Sequence, residues 1–266
     1  MRPYGRLFKD ENTMSTYLQF GQVPFNFVTG LGISNNATTP NTKLNVATGS
    51  ILDSTGTFQL TLSSAVIIDA TTTGLNGLDT GALAASTVYA VHLIADPITG
   101  QETGCMLSTS TTAPLMPFGY SAFALIGYVV TSAGSVFLKG LWSAGSYGGP
   151  RVFMYDAPQA TAITAGADTS YTAIDLSALV PATSTQRGVY INSAFTPGAA
   201  SRTLKLQPTG NTGDAITITG QVTAVIVTTQ SYLFARLSSS LPKISYVVAN
   251  AADAAAINVA GYDFFV

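Results

Sequence analysis

Short stretches that alternate apolar and polar side chains recur along this chain, each closed by Gly, Pro, Asn or Asp, and in the second half the spacing is roughly 8 to 14 residues. A period of two places alternate side chains on opposite faces, so each stretch reads as a half-buried β-strand. No helix of three turns with an amphipathic stripe interrupts them; residues 251–256, rich in Ala, form the one short patch of helical character. The chain is therefore expected to be all-β and mostly antiparallel.

The most regular block runs from Asp53 to Trp142. Residues 56–62 alternate strictly, and 86–96 and 121–131 are rich in Val, Tyr, Leu and Ile, so all three read as strands. Between them, 74–81, 97–104 and 113–119 hold the residues that turns need. Residues 29–48 read as loop leading into a short strand near Leu44, and 136–142 closes the block. Three glycines and a proline within 143–150 oppose both helix and ladder and read as a linker. Beyond it, strands are expected at 152–155, 171–176, 188–195, 203–207, 215–219, 223–228, 232–237, 243–249 and 256–260. Leu204 and Leu206 share one face, Ile216 and Ile218 another, with 208–214 as the turn of a hairpin. The expected organisation is an N-terminal segment (1–28), a β domain (29–142), the linker (143–150) and a β-sandwich or jelly roll (151–266).

Residues Gly77-Leu78-Asp79-Thr80-Gly81, the strand from Val88 to Ile94, the segment from Leu107 to Pro114, and the pairs Gly119-Tyr120 and Ile126-Gly127 together resemble a region of tailed-bacteriophage virion proteins. That region belongs to tail fibres, head or collar appendages and related structural subunits. The resemblance covers about a third of the chain closely and the C-terminal half more loosely, and it departs at Leu125, where such proteins often carry a basic residue. It implies a structural appendage subunit of a virion, made in the host cytoplasm and assembled as a homotrimer, and it brings no catalytic residues with it. The N-terminal segment would then be an arm whose aromatics Tyr4, Phe8, Tyr17, Phe20, Phe25 and Phe27 dock into another virion protein. The alternative is a receptor-binding fibre tip that recognises a host surface glycan, and behind it a polysaccharide depolymerase.

Charged residues make up 9% of the chain and apolar ones 47%, an unusually uncharged surface for an isolated monomer. Burial between copies would account for it. The net charge of −2 offers no handle for nucleic acid, which is bound through clustered Lys and Arg. The longest apolar run, around residues 123–130, is far shorter than the ~20 residues of a membrane-spanning helix, and no signal peptide is visible after the basic start.

Chemistry is sparse. The single Cys105 excludes a disulfide framework and reads as a small apolar core residue. The single His92 lies in a strand with no nucleophile motif nearby and reads as structural. The carboxylates are scattered and mostly abut Gly, Ser, Thr or Pro, as turn formers do, and residues 211–214 lack the acidic repeat of a calcium loop. No phosphate loop, dinucleotide fingerprint or zinc spacing occurs, so no catalytic, cofactor or metal residues are expected. Trp142, Tyr147 and Tyr262 sit near loops or the end, where aromatics can stack on sugars, but the position of Trp142 at a strand end favours core or interface.

Overall fold

The computed structural model describes residues 28–98, 101–143, 150–161, 163–182, 186–209, 216–233, 236–238 and 241–264. Every regular element among them is a β-strand. The expected docking residues Tyr4, Phe8, Tyr17, Phe20, Phe25 and Phe27 lie outside the described residues.

The first half supplies β1 (Val28–Gly30), β2 (Ile33–Asn35), β3 (Lys43–Val46), β4 (Gly49–Leu52), β5 (Gln59–Leu62), β6 (Val66–Asp69), β7 (Gly77–Leu78), β8 (Val88–Asp96), β9 (Gln101–Ser108), β10 (Ala122–Val130) and β11 (Gly140–Trp142). The second supplies β12 (Arg151–Ala160), β13 (Thr172–Asp175), β14 (Gln186–Thr196), β15 (Arg202–Pro208), β16 (Ile216–Gly220), β17 (Val227–Leu233), β18 (Arg236–Ser238), β19 (Leu241–Val248) and β20 (Ala254–Phe264). They form four sheets in a sandwich-like, all-β arrangement. The largest has eight strands in the order β17-β14-β20-β12-β11-β2-β3-β6; the others run β1-β4-β5, β10-β8-β9-β7 and β13-β19-β15-β16, with β18 beside β19. All pairings between these strands are antiparallel except that of β7 with β9.

The eight-stranded sheet takes strands from both sides of residues 143–150. β11 pairs with β2 on one edge and with β12 on the other. The expected 29–142 and 151–266 units are thus joined by ladder hydrogen bonds, and their buried side chains belong to one hydrophobic cluster. Trp142 sits at the join. Its ring lies 5.1 to 5.3 Å from those of Phe153, Tyr262 and Phe264, and its indole N–H donates to the Tyr128 carbonyl at 2.6 Å. Tyr128 belongs to β10, so this bond also fastens the four-stranded sheet to the eight-stranded one.

The hairpin expected from the leucine and isoleucine spacing is present, with Leu204 opposite Ile218 and Leu206 opposite Ile216. Each such side chain contributes roughly 1.5–3 kcal/mol when fully buried. Three local expectations are corrected. Residues 97–104 do not form only a turn: β9 starts at Gln101, Gly104 pairs with Ile94 of β8, and it is a glycine because a Cβ there would meet Leu75 Cδ1 at 2.3 Å. Residues 251–256 are not helical. Asp253 accepts from the amides of Gly198 and Asn250 and pairs with Arg202 at 3.1 Å, fixing a turn from which β20 departs with Ala255, Ile257 and Val259 buried. Finally, β17 starts at Val227, because Ala224 takes a left-handed conformation (φ 59°) and its amide bonds to Pro197, making residues 222–226 a turn.

Candidate functional site

Four adjacent strands, β12, β20, β14 and β17, frame a surface cleft. Along β14 the buried side chains are Val189, Ile191, Ser193 and Phe195, so Tyr190 between the first two points to the other, outer face. The register continues that outer row across the sheet: Met154 opposite Gly261, Gly261 opposite Tyr190, and Tyr190 opposite Tyr232. Both ladders of β20 are irregular at this level, between Met154 and Gln159 on one side and between Tyr190 and Ile191 on the other. Bulges bend strands and re-aim side chains. Here they open a cleft of about 250 Å³ lined by Met154, Tyr190, Gln230, Ser231, Tyr232 and Ala260, with Ile191 at its base.

Two glycines are required by this geometry. A Cβ on Gly261 would meet the Phe153 carbonyl at 2.2 Å, and one on Gly188 would meet the Tyr232 ring at 2.5 Å. The rings of Tyr190 and Tyr232 lie 4.9 Å apart, tilted by 53°. Asp263 holds this pair from the side: one carboxylate oxygen accepts from the Gly188 amide and the other from the Tyr232 hydroxyl, both at 2.7 Å. Burial, helped by the Asp263 charge, pushes the Tyr190 phenol above its ordinary value. The cleft therefore offers neutral hydroxyl and amide groups beside two aromatic rings. None of its residues stands out in the sequence. The available signal was parity, since Tyr190 and Tyr232 occupy outward positions of alternating strands, where a large ring has no core to fill.

The singled-out residues lie elsewhere. Trp142 and Tyr262 are core residues, and Tyr147 is outside the described residues. Cys105 is fully buried, and that burial pushes its thiol well above the ordinary range. Asp53, Asp69 and Asp175 cap turns, accepting from the amides of Thr57 and Phe58, Thr71, and Ser177. Burial pushes Asp53 upward, but hydrogen bonds from Phe58, Thr55 and Thr57 outweigh it, so its carboxyl lies below the usual range. The hydrogen bonds from Lys43 and Thr71 hold Asp69 at about 2. Among the described residues, no group of three or more His, Cys, Asp or Glu is placed to hold a metal ion, and no helix is long and apolar enough to cross a membrane.

His92 is fully buried in β8. Its Nε2 lies 2.9 Å from the Ser110 carbonyl, its Nδ1 has no partner among the described residues, and its ring meets Phe123 edge-on. Donation to that carbonyl fixes the proton on Nε2 in the neutral ring. Burial lowers its pKa, against the opposing pull of Ser110 and Asp79. Below its ordinary value of 6.5 the unfolded chain binds a proton that the folded chain refuses, so stability falls with pH. A difference of one proton sets the upper limit of that slope at about 1.4 kcal/mol per pH unit. Asp53, Asp69 and Asp175 have lowered values, and their contributions are lost mainly as the pH falls below about 3.8. The range from about pH 6.5 to 4.5 therefore isolates His92. Urea midpoints across that range should fall for the native chain and stay flat for His92→Gln; a native chain indifferent to pH there would refute the assignment.

No protein-family model matches the chain, and no curated protein matches it. Among solved structures it is similar to an exo-β-1,3-galactanase from Phanerochaete chrysosporium. The galactose complex is 12% identical, with 88% of this chain and 67% of that chain covered and a TM-score of 0.23. A variant holding β-1,3-galactotriose gives 13%, 85%, 67% and 0.25. TM-scores this low carry no argument about fold or activity.

Proposed function

We propose that this chain is a non-catalytic structural subunit of a tailed-phage virion appendage, a tail fibre, collar or head decoration. In this reading it assembles as a homotrimer and is attached through its N-terminal segment. The observation that supports it is the exposed apolar surface on a chain with so few charges. Ile98 is 81% exposed, Leu115 66% and Phe118 fully exposed, in the connections that flank β9; Val222, Val225 and Ile226 stand out from the β16–β17 connection. Exposed apolar side chains in number mark surfaces that a partner covers. Among the described residues, sheets also end at β6, β17 and β16, edges that neighbouring copies can cover. The carboxylate beside the cleft favours a non-catalytic role, since both Asp263 oxygens are already engaged and glycoside hydrolysis uses two carboxyl groups.

Light scattering on the purified chain should give three times its 27.5 kDa mass, and Phe118→Ser together with Ile226→Ser should shift it toward monomer. A stable monomer at micromolar concentration would refute the assembly. Gold-labelled antibody against the chain should decorate intact particles at the appendage, and undecorated particles would refute the virion assignment.

A further inference from the structure

We propose that the cleft between Met154, Tyr190, Gln230 and Tyr232 is a carbohydrate-binding site that takes one neutral pyranose residue of a glycan. The proposal is independent of whether the chain is carried on a virion. Five observations support it. The cleft is small and open, about 250 Å³ on the outer face of a sheet, which suits one ring of a longer chain better than a whole buried ligand. Its walls include two tilted tyrosine rings 4.9 Å apart. An aromatic face carries negative charge density, and the C–H groups on one side of a pyranose are weakly positive, so the two surfaces attract while the sugar sheds water.

The polar groups match hydroxyls. The Gln230 side chain is exposed, and its amide offers a donor and an acceptor; Ser231 and the Tyr190 hydroxyl supply groups that act as either. The charge selects against acidic sugars, because no Lys or Arg is among the described residues that line the cleft and the Asp263 carboxylate stands behind Tyr232. The site is also held in place before any ligand arrives. Asp263 ties Tyr232 to the Gly188 amide, and the glycines at 188 and 261 leave room for the ring and for Met154. A preordered platform loses little entropy on binding.

The full chain should be screened on an array of neutral oligosaccharides built from glucose, galactose, mannose, N-acetylglucosamine and N-acetylgalactosamine, alongside sialylated and uronic-acid glycans. Hits are then titrated by calorimetry. Binding of a neutral subset is expected, weakened at least tenfold by Tyr190→Ala and severalfold by Gln230→Ala. Gln230 is exposed, so its variant tests the site without endangering the fold, and circular dichroism confirms the other. No glycan bound at millimolar concentration, binding of acidic members only, or affinity unchanged in both variants would each overturn the proposal. So would selection from a displayed peptide library of an extended peptide on this cleft with no glycan bound, which would mean strand addition along the β17 edge.

Discussion

Trp142→Ala is expected to destabilise the protein by about 3–5 kcal/mol, a large fraction of the roughly 5–15 kcal/mol that holds a typical domain folded. The indole is 1% exposed and touches rings from β12 and β20, so its removal leaves a cavity whose walls are themselves held in ladders and cannot collapse into it. The Tyr128 carbonyl also loses its 2.6 Å donor, and a buried acceptor left bare costs about 1–3 kcal/mol. Trp142→Phe keeps most of the volume but not the N–H, and should recover more than half of the loss. Since Trp142 is the one tryptophan of the chain, unfolding has to be followed by far-ultraviolet circular dichroism in urea. A loss below about 1 kcal/mol for the Ala variant would mean that the join between β11, β12 and β20 does not depend on this ring.

Much of the architecture was legible wherever the alternation was clean. β5, with Leu60 and Leu62 buried between exposed polar neighbours, and the Leu204–Ile218 hairpin follow from period two alone. Legibility failed where a distant contact decides a residue's place. Gly104 looks like a turn residue until Leu75 is laid over it from another segment. The glycines within 143–150 read as a linker, and nothing in them signals that Trp142 and Phe153 on either side are ring neighbours 5.1 Å apart. The cleft was the least legible part. It depends on two ladder irregularities at one level of β20, and a bulge leaves no periodic mark that a reading of one strand can detect.

Arg151→Met is expected to act in the opposite sense to Trp142→Ala and to raise stability by about 1–3 kcal/mol. Arg151 directly follows the linker at residues 143–150. In the fold its side chain points inward from the first residue of β12 and is fully buried. One nitrogen, Nη2, donates to the carbonyl of Leu31 at 2.5 Å and more weakly to that of Ser143 at 3.4 Å, while Nε and Nη1 have no partner among the described residues. No carboxylate among the described residues forms an ion pair with it. Burial without a counter-charge pulls the guanidinium from its ordinary 12.5 down to about 10. At neutral pH the group remains protonated in both states, so that difference is a standing penalty of about 3 kcal/mol. Methionine has a comparable reach and no charge to desolvate, and it gives up only the bonds to two carbonyls. Arg151→Ala should gain less, since it trades the buried charge for a cavity. Urea unfolding at pH 7 distinguishes the cases: a Met variant that is less stable than the native chain would show that an anion seated against Nε and Nη1 compensates the charge in the folded protein.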